Sequence, residues 1–483
     1  MKRIYIKTIA FTFVFLTLFS LTVSAFTPYS GYNYGRSLSE IPTLNAYEPE
    51  KVLWGGDLGL ESLSAPKDLK VDSMGRFYLV ESVKNRVIRF TVDFEVDAIF
   101  DGFDNNGTRE TFNLPEGIFV DSDFNMYICD TQNARIVKLD EDGNLLQIIA
   151  NVVLTGSSNT FKPQKVSVDS AGRIYVVSVA CTDGLIQLNE DGEFVKFFGS
   201  NSVVPDPLEI IYRMFLTREQ KQKREQFVPT EYSNVLVDDR DFVYTTTQKV
   251  ETDQIKRLNA KGSNVLITEG RTGNKYGNYV RTPTGWNKVT AFVDLRVDED
   301  DNIYALDKTS CKVFVYDSYG NLLFNFGGEG TANGLFTSPA AIELKDNKVY
   351  VLDETNGMIT IFGRTEFGEK ILEANRLYQD GEYAESLEPW QEVLAMDSNY
   401  DLAYIGIGKA LLKAEDYDGA MEAFKNGRNR EYYSDAFEKQ RNIVLREHFT
   451  EIVVGIVVVL ILVVVVFKIL KKHNISFIRY INS

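Results

Sequence analysis

Histidine is the side chain most often used to hold a catalytic metal or carry a proton near neutral pH. In this 483-residue chain it occurs only at His448 and His473, so histidine-dependent chemistry has no donors in most of the sequence. Aspartates recur at Asp72, Asp121, Asp169, Asp238 and Asp298, each opening a turn, where the carboxylate bonds its own backbone and needs no ligand. Asp130, Asn133 and Arg135, echoed by Asn85 and Arg86, have hydrogen-bonding capacity but recur as a pattern. The distinctive clusters lie elsewhere. A basic stretch, Arg218–Arg224, contains Lys223 and Arg224, and a second segment sets Lys275, Tyr276, Tyr279, Arg281 and Trp286 close together. Aromatic rings among cations suit a sugar or an anionic ligand. No nucleophile elbow, phosphate-cradling glycine loop, zinc-protease helix or calcium loop is present.

These residues need elements to position them. Asn113–Leu139 reads NLPEGIFVDSDFNMYICDTQNARIVKL, three short alternating apolar runs separated by polar turns, the pattern of an antiparallel meander. It recurs six times, marked by Tyr78, Tyr127, Tyr175, Tyr244, Tyr304 and Tyr350 at separations of 49, 48, 69, 60 and 46 residues. A fourth strand closes most units: Leu145–Ala150, Phe194–Ser200, Asn264–Gly270 and Leu322–Gly328. Four strands repeated radially predict a six-bladed β-propeller over 51–363, which protects its sheet edges. The sixth unit lacks its outer strand, and Lys51–Gly56 is expected to supply it. The two long spacings place a helical insertion at about 206–227 and a loop insertion at about 271–292. Both are blade-to-blade connections and fall on one face. Lys223, Arg224, Lys275, Tyr276, Tyr279 and Trp286 are therefore the candidate binding residues of an insertion face.

The pattern resembles the NHL-repeat family, which Pro115, Gly117, Asp130, Asn133 and Arg135 match closely and Pro66, Asp72, Gly75, Asn85 and Arg86 match in the first blade. The resemblance implies that Asp130, Asn133, Arg135, Asn85 and Arg86 are structural signature residues. Amidating-lyase relatives of that family bind zinc through histidines, which 51–363 lacks. Gluconolactonase-like propellers hold a divalent ion in the channel with Glu, Asn and Asp, which leaves a channel metal open as the one cofactor to consider.

Past Phe362 the apolar period changes from 2 to 3.6. Ala374–Trp390 is echoed by Gly408–Phe424 at an offset of 34 residues, which resembles tetratricopeptide repeats and predicts a helical module over 366–447 with a capping helix from about Ser434. Pro389 is atypical for a helix body. Ile452–Phe467 is uninterruptedly apolar, and 452–470 is long enough to span a bilayer. Lys468, Lys471, Lys472 and Arg479 follow it, which orients the tail 471–483 to the cytoplasm. Lys2, Arg3 and Lys7 before an apolar run and Val23-Ser24-Ala25 read as a signal peptide over 1–25, followed by a partly ordered leader, 26–50.

The fold class expected is thus multidomain: an all-β six-bladed propeller, all-α tetratricopeptide-like helices and one transmembrane helix. The net charge of −16 opposes a nucleic-acid partner. Cys129, Cys181 and Cys311 lie in different repeats and read as small apolar fillers. The function expected is a single-pass, type I plasma-membrane protein that binds a protein or glycan partner outside the cell, accessory to envelope transport. The alternative is a metal-dependent lactonase or lyase acting on an exported small molecule.

Overall fold

The computed structural model describes residues 27–34, 39–200, 230–248, 252–266, 276–278 and 290–472. The signal segment, the expected helix Asp206–Phe227, most of the second insertion and the tail lie outside them. The chain divides into two compact units, Met1–Glu369 and Lys370–Ser483.

The first unit is a six-bladed β-propeller. Blade 1 comprises Pro66–Val71, Phe77–Glu81, Arg86–Phe90 and Val96–Phe100, hydrogen-bonded in that order. Blades 2, 3 and 5 repeat this arrangement, beginning at Gly117–Val120, Pro163–Val168 and Phe292–Val297. Blade 4, beginning at Tyr232–Val237, has three strands among the described residues, and an isolated bridge, Leu258 to Asn264, stands where its expected fourth strand starts. In blade 6, Pro339–Lys345, Lys348–Asp353 and Met358–Arg364 are completed by Tyr47–Trp54 from the other end of the chain.

The local chemistry explains the repeat. Asp72, Asp121, Asp169, Asp238 and Asp298 each accept backbone N–H bonds from the residues two and four positions ahead, at 2.8–3.0 Å. This fixes the turn between the first and second strands. The six marker tyrosines are buried. Tyr78 packs with blade 2, Tyr127 with blade 3, Tyr175 with blade 4, Tyr244 with blade 5 and Tyr350 with blade 1. Tyr304 meets Tyr47 of blade 6, their rings 6.3 Å apart. Each ring is a wedge between its own blade and the next, which buries the face that a lone meander would expose. Gly117 shows the tightness of the fit, because a Cβ there would lie 2.3 Å from the Gln164 carbonyl oxygen of blade 3.

Two expectations need correction. The closing strand is Tyr47–Trp54 rather than Lys51–Gly56: pairing continues to Arg364 opposite Tyr47, and Gly55 already opens a 3₁₀ turn, Gly55–Leu58. The described part of the leader, 27–34 and 39–50, belongs to the ring. Tyr29 and Tyr32 are buried, Asn33 Nδ2 donates to the Leu322 and Leu323 carbonyls at 3.3 and 3.1 Å, and Asn325 Nδ2 donates to the Tyr32 carbonyl at 2.6 Å. A hairpin, Gly102–Asn105 with Thr108–Thr111, also stands unforeseen between blades 1 and 2. The three cysteines are buried and unbridged.

The helices are α1 (Glu366–Asp380), α2 (Leu387–Met396), α3 (Asp401–Lys413), α4 (Tyr417–Asn426), α5 (Arg430–Glu447) and α6 (Phe449–Lys472). Small residues admit rings at the crossings: a Cβ on Gly406 would lie 2.4 Å from the Trp390 indole, and one on Gly408 would lie 2.6 Å from the Phe424 ring. Pro389 falls in the first turn of α2, where its missing N–H costs no helical bond. The capping helix α5 starts at Arg430, before the expected Ser434, because the Asn429 side chain accepts the Tyr432 N–H at 3.1 Å and caps it. With 24 residues, α6 reaches ~36 Å at 1.5 Å per residue. It is long and apolar enough to cross a bilayer, and none of its apolar stretch is buried in the protein.

Tyr47 joins both ends of the ring. It is 1% exposed, stacks on Phe326 with centroids 4.8 Å apart, and its hydroxyl lies 3.1 Å from that of Tyr304. Tyr47→Ala should therefore cost about 3–5 kcal/mol, and deletion through Trp54 should abolish cooperative melting of the ring. A calorimetric scan matching the parent in either variant would contradict this closure.

Candidate functional site: the channel and its mouth

The six innermost strands meet at the ring axis. In five of them, Pro66–Val71, Pro163–Val168, Tyr232–Val237, Phe292–Val297 and Pro339–Lys345, the pairing slips by one residue near the start. The extra residues are Lys67, Gln164, Ser233, Val293 and Ala340. A bulge re-aims its extra side chain, and all five line the mouth of the channel, together with Glu116 of blade 2. The third and fifth residues of each strand then face the channel itself.

Those deeper positions carry three carboxylates and three cations. Lys165 Nζ lies 2.7 Å from Asp68 Oδ1. Arg296 bridges Asp294 and Glu343 at 2.8 and 3.0 Å, and Lys70 lies 3.7 Å from Glu343. The carboxylates also accept backbone N–H bonds from neighbouring blades: Asp68 from Ile118 at 3.0 Å, Asp294 from Ile342 at 2.9 Å and Glu343 from Val71 at 3.3 Å. Asn234 Nδ2 donates to Asp294 at 2.7 Å, and Ser167 Oγ accepts the Val237 N–H at 3.1 Å. One network thus ties blades 1 to 2, 3 to 4, 4 to 5, 5 to 6 and 6 to 1.

Burial pushes the Asp68 carboxyl up, even against Lys165, and pulls the Lys70 ammonium down despite Glu343. Burial works against the Arg296 guanidinium too, but Asp294, Glu343 and Asp68 outweigh it and hold the group above its ordinary range. About 20 Å³ remains among Asp68, Lys70, Lys165, Asn234, Asp294 and Arg296, room for roughly one water molecule.

Above this floor opens a cavity of about 680 Å³, within the range of roughly 300–1,000 Å³ usual for ligand sites. Its wall is Lys67, Glu116, Gln164, Thr182, Glu231, Ser233, Gln248, Lys308 and Glu354, and Lys165 lies at its base. The rim is set by buried acids at the ends of the second strands. Glu81, Asp130, Asp307 and Asp353 are 0% exposed and accept the N–H groups of Ser64, Asn113, Ala291 and Thr337 at 2.6–2.8 Å. Each therefore clamps the incoming connection beside the turn between its second and third strands. Lys308 and Glu354 stand on two of those turns. Glu354 Oε1 meets Lys67 Nζ at 2.5 Å and Oε2 meets Lys308 Nζ at 3.3 Å. Burial opposes ionisation of Glu354, but the two lysines hold its carboxyl below the usual range. Its folded-state pKa is depressed, so the stability it contributes is present above about pH 4.3 and is lost as pH falls through the depressed value.

Among the residues singled out from sequence, Lys223, Arg224, Lys275, Tyr279 and Trp286 lie outside the described residues; Thr230, the first described residue after the first insertion, lines the cavity. Tyr276 is a correction. It was expected as an exposed ring for a ligand but is 2% exposed, edge-on to Tyr316 at 5.1 Å and packed with Tyr32 and Phe292. Asp130 binds Arg135 Nε at 2.7 Å and Asn133 Nδ2 at 2.8 Å. Arg86 Nε donates to Glu81 at 2.6 Å, and Asn85 Oδ1 accepts the Leu114 N–H at 2.7 Å. The mouth residues were missed. The available signal was the polar residue that follows Pro66, Pro115 and Pro163.

No family model matches the chain. A stretch of 104 residues is 29% identical to peptidylglycine alpha-amidating monooxygenase of Rattus norvegicus, which is 20% of this chain and 11% of that protein. This chain therefore spans about a tenth of that relative's length. Among solved structures, virginiamycin B lyase from Staphylococcus aureus is similar with a TM-score of 0.43 at 10% identity, over 66% of this chain and 100% of that one. A catalytically inactive variant of the same enzyme with quinupristin has a TM-score of 0.40 at 12% identity, over 69% and 87%. Neither likeness carries a functional argument.

Arg296→Met would leave Asp294 and Glu343 buried without their shared cation. It should destabilise the ring by about 3–5 kcal/mol. Combining it with Asp294→Asn and Glu343→Gln should recover much of that loss. Chemical denaturation checks both, and an Arg296→Met variant as stable as the parent would contradict the role given to the network.

Proposed function

We propose that the chain is a membrane-anchored binding protein, with the propeller and helices outside the cell and the short tail in the cytoplasm. The mouth of an NHL-like ring captures a protein or glycan partner, and tetratricopeptide-like helices serve as a stalk or second docking surface. The setting is envelope transport, with the protein as an accessory. The observation that carries this reading is the mouth itself. A cavity of about 680 Å³ opens over a floor whose three carboxylates are already paired with three cations. Such a floor supports and orients a ligand without offering it a free catalytic group. The apolar α6, with Lys468, Lys471 and Lys472 in its last turns, supports the anchor and its orientation.

A metal-dependent lactonase or lyase is the second reading. A divalent ion in the channel would have to displace Lys165 or Arg296 from Asp68, Asp294 or Glu343, at the cost of leaving a buried cation unpaired.

Crosslinked capture by the full chain in intact cells tests the first reading. A Lys67→Ala/Lys308→Ala variant should lose its partner, while Asp123→Ala, on an exposed turn of the opposite face, should keep it. Equal capture by all three would refute the mouth as the binding surface. Marked thermal stabilisation by calcium or zinc, lost in Asp294→Asn, would favour the enzyme reading instead.

A further inference from the structure

The charges around the mouth are not evenly spread. Lys67 belongs to blade 1, Lys308 to blade 5 and Glu354 to blade 6, so this side carries two cations that share one carboxylate. On the other side stand Glu116, at the start of blade 2, and Glu231, just ahead of blade 4. Glu116 accepts a hydrogen bond from Gln164 Nε2 at 2.7 Å, and Glu231 accepts one from the Ala180 N–H at 3.2 Å. Neither has a cation within ion-pair distance among the described residues. In a ring of six, blade 1 faces blade 4 and blade 2 faces blade 5, so each lysine looks across the cavity at one of these two glutamates.

From this we infer that the mouth takes a zwitterionic ligand, with an ammonium group toward Glu116 and Glu231 and a carboxylate toward Lys67 and Lys308. The inference rests on the binding reading above and deepens it. A neutral ligand filling the cavity would strip water from two carboxylates and leave them unpaired, which is costly. A polyanion would meet Glu116 and Glu231, and a polycation would meet Lys67 and Lys308. A ligand carrying both charges, one at each end, satisfies both walls. A short peptide with free termini has this chemistry and suits the volume. Thr182 and Gln248 also line the cavity, on the side of the two glutamates.

Calorimetric titration of the full chain in detergent micelles tests this with tri-alanine, its N-acetyl form and its C-terminal amide. Each cap removes one charge pair and should weaken binding about tenfold or more. In Glu116→Gln/Glu231→Gln the N-acetyl cap should cease to matter, and in Lys67→Met/Lys308→Met the amide cap should cease to matter. The glutamine variants retain an acceptor for Gln164 and for the Ala180 N–H, and far-UV circular dichroism confirms that they fold. Capped peptides binding as tightly as tri-alanine would overturn the inference. So would discrimination that survives the substitutions. If a neutral oligosaccharide binds and Ser233→Ala weakens it, while tri-alanine does not bind, the zwitterion falls and the mouth as a binding site stands. If none of these ligands binds and capture in cells is also unaffected by the mouth variants, both fall.

Discussion

Six strands converging on one axis bring their channel-facing side chains into a space with little water, where charges must cancel. The ring meets this constraint with Asp68, Asp294 and Glu343 against Lys70, Lys165 and Arg296. Replacing such a set with packed hydrophobes is often neutral or stabilising, whereas removing one member is costly. The network is therefore better read as a device that fixes the relation between blades than as a source of net stability. Its carboxylates accept N–H groups from blades 1, 2 and 6, so a shift of one blade would strand a charge in its neighbour.

That rigidity gives the mouth its shape. The bulge at the second position of five of the inner strands turns one more side chain of each toward the axis, above the paired floor. The clamps at Glu81, Asp130, Asp307 and Asp353 hold the rim turns in place. Residues that read as a family signature, such as Asp130 with Asn133 and Arg135, act through this clamp: they position the rim and leave the cavity to others.

The blades were legible in the sequence because their cause is local. Period-2 patterning and a tyrosine wedge recur within each unit, and in five of the six an aspartate bonds the N–H groups two and four positions ahead of it. The seam was legible as a missing strand, but its ends were not, since they depend on how far Arg364 and Tyr47 continue to pair. The leader's place was hidden in bonds from Asn33 and Asn325 that join residues nearly 300 positions apart. The site was least legible. Lys67, Glu116, Lys308 and Glu354 come from four blades and meet only when the ring closes. Tyr276 misled because an aromatic beside cations looks the same in sequence whether it faces solvent or packs on Tyr316.

In the proposed arrangement, anchoring adds a second constraint: α6 confines the protein to a surface, so even a modest affinity at the mouth acts at high local concentration. The account stands on that mouth being where the partner sits. Hydrogen–deuterium exchange of the full chain, with and without its captured partner, tests this most directly. Protection is predicted at Thr182, Thr230–Ser233, Lys308 and Glu354–Asn356, with the turns Asp121–Asn125 and Asp298–Asn302 unchanged. Protection confined to those opposite-face turns, or to the helices between Glu366 and Glu447, would contradict it.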